Sequence, residues 1–480
     1  MNRPIRRVSV VAMIMFALLL ANATYTVLVR EGTLNADPAN RRARDSEFGQ
    51  DRGPILAVGP TELAITEPVD DQYGYQRVYP DDPEIYAPVT GYYSYDHART
   101  ALENSYNTEL AGTDDSLFIR RLMDTITGQK PTGATVETTI NPAAQRAAWE
   151  GLDGRKGAVV AMNPQTGEVL AMVSSPSYDP NEIASHDIAD ANAAWTRLND
   201  DPDRPLANRG AREIYPPGST FKLVTAAAAL EDGMNPDTQV DSPDKLTLPQ
   251  TNTQLGNDTN CGGTRITIDQ ALRVSCNTAF ANLGLQLGDD KLRDQASRFG
   301  FGSRPLPELA AAASRYPDDP NAPQTALSAI GQGDVAASPL QMTMVTAGIA
   351  NGGKVMDPYL VSTVRGEDLS VISQKRPSVR STAMSEDNAR ALREMMVNVV
   401  EDGTGSNAQI SGIGVGGKTG TAQTTPERPP YAWFTAFAPA DNPTVAVTVF
   451  IEEADIPRND IAGGRLAAPI AKDVMEAVLR

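Results

Sequence analysis

Histidine and cysteine are scarce, with two of each in 480 residues. Zinc sites built from four cysteines or three histidines are excluded within one chain. A mixed site would need His97, His186, Cys261 and Cys276 together, at spacings unlike any compact zinc module. No metal and no cofactor are expected. A Ser-His-Asp hydrolase has only His97 or His186 to draw on, so the sequence points to chemistry whose base is not histidine. Positive charge is also in short supply. Lys and Arg number 42 against 60 Asp and Glu, a net charge of −18. A nucleic-acid binder needs a positive footprint, and no basic run stands out beyond Arg41, Arg42 and Arg44. Nucleic acid is therefore not expected as a partner. Internal repeats and heptads are missing too. What the chain does have is 41 % hydrophobic residues, enough for a sizeable core.

It also has one long apolar run. Arg3, Arg6 and Arg7 precede residues 8–29, which carry no formal charge. As a helix those 22 residues would span about 33 Å, against about 30 Å for a bilayer core. The positive excess before the span predicts a single-pass protein of the cell membrane, N-terminus cytoplasmic and body extracytoplasmic. A cleaved signal peptide competes, because Ala21, Asn22 and Ala23 have the small-x-small form of a cleavage site after an apolar stretch at 8–20. Both readings export the body.

Three regions follow from texture: tail and anchor at 1–30, a small mixed domain at 31–135, and a larger domain at 136–480. In the second, 73–79 reads as strand, and 98–110 and 114–126 as helices. A turn-rich break at 131–134 ends it. Beyond it, 158–162 and 169–175 are apolar and β-branched, separated by a turn at 163–167. Ala-rich helical stretches dominate 221–344. Strand patterns return at 415–424, 433–438 and 444–451. A last helix at 468–479 places Ile470, Val474 and Val478 on one face. Strands at both ends with helices between predict one α/β domain.

Within it, the run PPGSTFK at 216–222 opens an apolar helix. Ser219 falls in the first turn and Lys222 three residues on, which brings the amine to the same face. Serine is a weak nucleophile without a base, and a buried lysine with a lowered pKa can be that base. The pattern S-x-x-K alone is weak. With 25 Ser and nine Lys, chance supplies about half a match. Ser242 to Lys245 is such a decoy. Alone, Ser219 is equally an N-cap. Ser275, Cys276 and Asn277 put a hydroxyl and an amide two residues apart after a helical stretch, yet Ser105 to Asn107 has the same form. Lys418, Thr419, Gly420 and Thr421 sit in a strand-like run, where Gly420 permits close approach of a ligand backbone.

The three motifs occur in this order, 56 and then 143 residues apart, and S-x-x-K, S-x-N and K-T-G together are a signature of serine acyl-transfer enzymes. The chain resembles the class B penicillin-binding proteins, in particular their short type, over nearly its whole length. Arg52, Gly53 and Ile55 match an R-G-x-I element, Gly331, Gln332 and Gly333 a G-Q-G element, and YAWFTAF at 431–437 the strand after K-T-G. Cys276 departs from the Asp or Ser often found between Ser275 and Asn277.

The resemblance implies an α/β (α+β) serine acyltransferase of β-lactamase-like transpeptidase fold. This is an antiparallel sheet with an inserted helical subdomain, preceded by a membrane helix and a small mixed domain. It implies a peptidoglycan D,D-transpeptidase acting on D-Ala-D-Ala stem peptides. Ser219 would be the nucleophile, Lys222 its base, Ser275 a proton relay and Lys418 a nearby positive charge. Asn277 would bind a substrate amide. Thr419, Gly420 and Thr421 would bind the substrate, with the oxyanion between the N–H groups of Ser219 and Thr421. The implied partners are stem peptides, the lipid-linked precursor, β-lactams as covalent inhibitors and a membrane glycan polymerase.

The alternatives are a D,D-carboxypeptidase, a β-lactamase, a class A bifunctional enzyme and a membrane-anchored β-lactam or wall-fragment sensor. A β-lactamase is normally one smaller domain. The hundred or so residues before 136 are too few for a glycosyltransferase, and only residues 1–7 precede the span to serve a sensor's signalling part. Hydrolysis and transfer are poorly separated by sequence. Export also predicts a disulfide between Cys261 and Cys276, 15 residues apart. The alternative is two small buried hydrophobes with no bond.

Overall fold

The computed structural model describes residues 3–30, 33, 34, 45, 47–59, 61–114, 132–425 and 428–480. The chain divides into two compact units, Met1–Asp51 with Glu67–Gln76, and Arg52–Thr66 with Arg77–Arg480. In the first, Arg3–Tyr25 is an α-helix with no buried residue and a mean hydropathy of 2.0 over its most apolar window. It is the one helix among the described residues long and apolar enough to cross a membrane.

The second unit is built on a five-stranded antiparallel sheet. Its order is Gly416–Ala422, Tyr431–Ala438, Val445–Glu453, Lys156–Met162, Val169–Ser175. The C-terminal strands thus pair with strands some 290 residues earlier, as in Val447 opposite Ala161. Both faces are covered, which is why these strands read as unbroken apolar runs rather than alternating ones. On one face Val159, Ala161, Phe434 and Val449 pack with Ala144, Ala148, Ile470 and Val474 of the helices Pro142–Leu152 and Gly463–Leu479. On the other, Val160, Met172, Trp433 and Phe450 join the core of the helical region. There the wholly buried helix Pro339–Ala350 crosses the sheet, and a chain of hydroxyls, Thr346 to Thr435 (2.5 Å) to Thr448 (2.9 Å), satisfies its polar groups.

The expected strands lie where their patterns put them, within two residues or so at the ends. The last helix is longer than expected, starting at Gly463, and Val478 is only half-buried. The helical stretch at 221–344 is interrupted by two hairpins, Gln239–Asp241 with Arg265–Thr267 and Lys245–Thr247 with Gln254–Gly256. The helix expected at 98–110 is two pieces, Ala101–Ser105 and Asn107–Leu110, because Tyr106 at φ −114° leaves the helical region between them. The helix expected at 114–126 lies, apart from Asp114, outside the described residues.

A second sheet has the order Val371–Gln374, Val361–Arg365, Thr135–Thr138, Ile55–Leu56, Glu62–Pro68, Tyr75–Val78. Beside it lies a fully buried ion cluster. Glu103 accepts from Arg52 at 2.7 Å and from Arg77 at 2.6 Å, and Tyr79 donates to it at 3.2 Å. Burial alone would raise the Glu103 pKa, but the two guanidiniums hold it below the usual carboxylate range. The adjoining Gly53 has no room for a side chain, since a Cβ there would lie 1.9 Å from the Ala134 carbonyl oxygen. The Arg-Gly pair at 52–53 is thus a packing element. Glu103→Gln leaves two arginines buried without a counter-charge, and a loss of about 3–5 kcal/mol is expected in urea unfolding. The Glu103 contribution is present above the ordinary glutamate pKa and fades as pH falls through the lowered one, so the deficit of Glu103→Gln should shrink in strong acid.

Candidate active site

Pro216 and Pro217 delay helix formation, and Gly218 at φ 53° turns the chain into the short 3-10 segment Gly218–Phe221. The helix Lys222–Glu231 follows, buried along its length to Leu230. Ser219 is 9 % exposed on the turn, and Lys222 is fully buried one turn beyond. The Lys222 amine lies 2.8 Å from the Ser275 carbonyl oxygen, 3.2 Å from Ser275 Oγ and 2.7 Å from Asn277 Oδ1. Lys418 reaches the same Ser275 Oγ at 2.9 Å and also donates to the Thr419 carbonyl at 2.9 Å. One hydroxyl therefore bridges two amines. Ser275 holds this position at φ 59°, a left-handed conformation unusual for a non-glycine residue.

Burial and the charge of Lys418 push the Lys222 pKa well below the ordinary lysine range. Burial brings Lys418 down to about 7. An uncharged Lys222 fits its surroundings. Its two N–H groups go to Ser275 O and Asn277 Oδ1, which can only accept, and its lone pair is left for a hydroxyl.

Lys418 to Thr421 lie on Gly416–Ala422, the edge strand of the sheet. A Cβ at Gly420 would lie 2.9 Å from both Thr220 Cγ2 and Trp433 Cβ. A Cβ at Gly218 would lie 2.8 Å from the Thr421 carbonyl oxygen. The strand and the serine turn are therefore in direct contact. Gly331 presses on the same turn from another loop. It is at φ 70°, accepts from the Gly218 N–H at 2.9 Å, and would carry a Cβ only 2.1 Å from the Gly218 carbonyl oxygen. A cleft of about 640 Å³ opens over these groups, lined by Ser219, Ser275, Thr419 and Thr421 together with Asp258 and Arg465.

Cys261 and Cys276 are joined, with Cα atoms 5.4 Å apart. Cys276 precedes the helix Asn277–Leu287, so the bond ties the 257–264 loop to the Ser275 turn. The two sequence decoys are used elsewhere. Ser242 donates to the Gly263 carbonyl, Ser105 to that of Glu308, and Asn107 accepts from Arg52.

A family model described as the penicillin-binding protein transpeptidase domain matches residues 157–476, two-thirds of the chain. The chain belongs to the penicillin-binding protein transpeptidases. A second model, the penicillin-binding protein A dimerisation domain, matches residues 52–136. The peptidoglycan D,D-transpeptidase PbpA of Mycolicibacterium smegmatis is 45 % identical over all of this chain and 99 % of its own. That of Mycobacterium tuberculosis is 44 % identical with the same coverage. The solved structure of M. tuberculosis penicillin-binding protein A as a ceftriaxone acyl-enzyme complex aligns with a TM-score of 0.86 at 42 % identity. It covers 91 % of this chain and 100 % of that one. The chain is accordingly a peptidoglycan D,D-transpeptidase of the serine penicillin-binding type.

Several residues around this candidate centre carry no signal in the sequence. Asp258 accepts from Asn277 Nδ2 at 3.2 Å, and Thr404 Oγ1 lies 2.7 Å from Thr419 Oγ1. Neither belongs to a motif, and an isolated Asp or Thr in a polar loop carries no pattern to read. The buttressing role of Gly331 was also invisible, because it depends on contacts 113 residues apart. Gly331→Ala should force the serine turn to shift and slow acylation by a fluorescent penicillin by about 10²-fold. Gly302→Ala, also left-handed at φ 84° but with open space around it, should acylate at close to the wild-type rate and so control for backbone strain alone.

Proposed function

We propose that the chain crosslinks D-Ala-D-Ala stem peptides through an acyl-enzyme on Ser219. The observation that carries this reading is the shared hydroxyl of Ser275, 3.2 Å from Lys222 and 2.9 Å from Lys418. Ser219 Oγ attacks the penultimate D-Ala carbonyl while Lys222 takes its proton. The oxyanion is held by the N–H groups of Ser219 and Thr421. As the intermediate collapses, the C–N bond breaks. The proton passes from Lys222 through Ser275 to the leaving amine of D-Ala, with Lys418 stabilising the relay. An acceptor amine then attacks the ester and frees Ser219. Asn277 binds a substrate amide. Thr419 and Thr421 take the terminal carboxylate, and Gly420 keeps the strand close enough for an extended peptide to lie along its free edge. The same strand position suits a β-lactam, which acylates Ser219.

We extend the reading to the whole chain. Residues 1–30 anchor it with the N-terminus cytoplasmic, 31–135 form a non-catalytic module, and 136–480 form the transpeptidase domain outside the membrane. The arginines at 3, 6 and 7 support that orientation. Lipid-linked precursor and nascent glycan are the sources of stem peptide, which calls for a membrane glycan polymerase nearby. The Cys261–Cys276 bond forms in that oxidising compartment.

Incubating the full-length protein with a fluorescent penicillin and mapping the labelled peptide should place the adduct on Ser219. Labelling of Ser219→Ala at the wild-type level overturns the assignment, and Lys222→Ala should label far more slowly. The pH dependence carries a second expectation. Lys418 is charged below its pKa of about 7 and loses that charge as pH rises through it. The kcat/KM for acylation should therefore fall on the alkaline side of neutrality. Lys418→Arg, which keeps its charge, should move that fall to higher pH.

A further inference from the structure

The groups around the reaction centre carry a charge problem. Lys222 and Lys418 lie behind the cleft, and Arg458 and Arg465 line it. This suits a donor peptide that ends in a carboxylate. The acceptor, however, is an alkylamine, which arrives in water as an ammonium and is repelled by the charges of Lys418, Arg458 and Arg465. Among the residues lining the cleft, one is acidic, Asp258.

Asp258 is held in place by the chain on both sides of it. Asn257 accepts from the Thr278 N–H at 2.9 Å and donates to Thr278 Oγ1 at 3.1 Å. Thr259 Oγ1 donates to the Val274 carbonyl at 2.7 Å. Three residues on, Cys261 is joined to Cys276. The loop is thus fixed at three points to the turn carrying Ser275 and Asn277. One carboxylate oxygen of Asp258 accepts from Asn277 Nδ2 at 3.2 Å, while Asn277 Oδ1 accepts from Lys222 at 2.7 Å. The carboxylate is therefore two hydrogen bonds from the general base, with its side chain exposed to the cleft. Its negative charge also acts on Lys222, favouring the protonated amine.

We infer that Asp258 is the acceptor-binding residue, holding the incoming alkylammonium beside the acyl-enzyme and selecting cationic amines over neutral nucleophiles and water. This deepens the transpeptidase reading and rests on it. Held there, the ammonium gives one proton to the uncharged Lys222. The free amine attacks the ester carbon, the C–N bond forms, and the C–O bond to Ser219 breaks. A second proton from the amine goes to Ser219 Oγ, and Lys222 returns its proton to solvent. The charge of the ammonium is what the cleft recognises, and its loss is what starts the step.

The test compares two acceptors on the same acyl-enzyme, formed from a D-alanyl thioester donor. One is Nα-acetyl-lysine amide, whose single amine is an ammonium at neutral pH. The other is methoxyamine, which is uncharged there. Both conjugates are counted by mass spectrometry, and because their ratio is the readout, any change in acylation divides out. Asp258→Asn keeps the size and the ability to accept from Asn277. It should lower the ratio of lysine-amide to methoxyamine product about fivefold, as expected for one exposed charge pair worth about 1 kcal/mol. Asp258→Glu should restore part of it. In the wild type the ratio should fall as salt is raised, and in Asp258→Asn it should respond less. An unchanged ratio in Asp258→Asn overturns the inference. Equal losses with both acceptors do so too, because they assign Asp258 a merely structural role. Failure of the wild type to acylate at all overturns the transpeptidase reading instead, which separates the two failures.

Discussion

Two lysine amines share one serine hydroxyl in a place that water hardly reaches, and the rest of the proposed catalytic unit is arranged around that constraint. Lys222 and Lys418 cannot both be charged there at low cost. Like charges a few Å apart in a medium less polarisable than water repel by several kcal/mol, and burial penalises each separately. Both pKa values are therefore lowered, which under the proposed mechanism supplies a base in Lys222 and a positive charge in Lys418 side by side. Histidine achieves the same poise with its ordinary pKa. A chain with two histidines, neither among the residues at this centre, obtains it by burial.

Such poise survives only if the amines cannot move out to water, so the surroundings are tight. The serine turn is gripped between the edge strand at Gly420 and the loop at Gly331. The last helix closes over the strand at Gly463, where a Cβ would lie 1.9 Å from the Trp433 carbonyl oxygen and 2.6 Å from that of Gly420. The Ser275 turn is gripped by the disulfide loop. Each contact is made by a residue that gains its meaning from a distant segment, and together they fix three pieces of chain brought from 219, 275 and 418. The sheet supplies the frame. Its C-terminal strands pair with 156–162, so the domain closes on itself and the edge strand is fixed at one side of it.

This division explains what was legible in the sequence. The sheet strands were readable because both faces are buried, so that most residues of strands seven to nine residues long are apolar. The last helix was readable by its period. The short strands Gln239–Asp241, Lys245–Thr247 and Gln254–Gly256 were not, since three residues carry no period. The three motifs stood out through order rather than composition, because each alone had a decoy or a bland reading. Glu103 shows the limit. It joins Arg52 and Arg77 from 51 and 26 residues away, and a lone glutamate in a polar stretch looks like any other. Asp258 and Thr404 escaped for the same reason. Side chains that gain a role by meeting a distant partner leave no local trace.

The two ion arrangements also bear differently on stability. The Glu103 cluster has its counter-charges arranged around a carboxylate whose pKa is lowered, so the folded state is favoured above the ordinary glutamate pKa. The lysine pair works the other way. Both amines have pKa values below those of an unfolded chain. At neutral pH the unfolded chain therefore binds protons that the folded one does not, and the site costs stability that grows as pH falls from the lysine range toward the lowered values. The two-faced sheet and the buried helix Pro339–Ala350 offset that cost with apolar burial. The two amines are thus set among buried segments of the fold, because only there can they be kept from water.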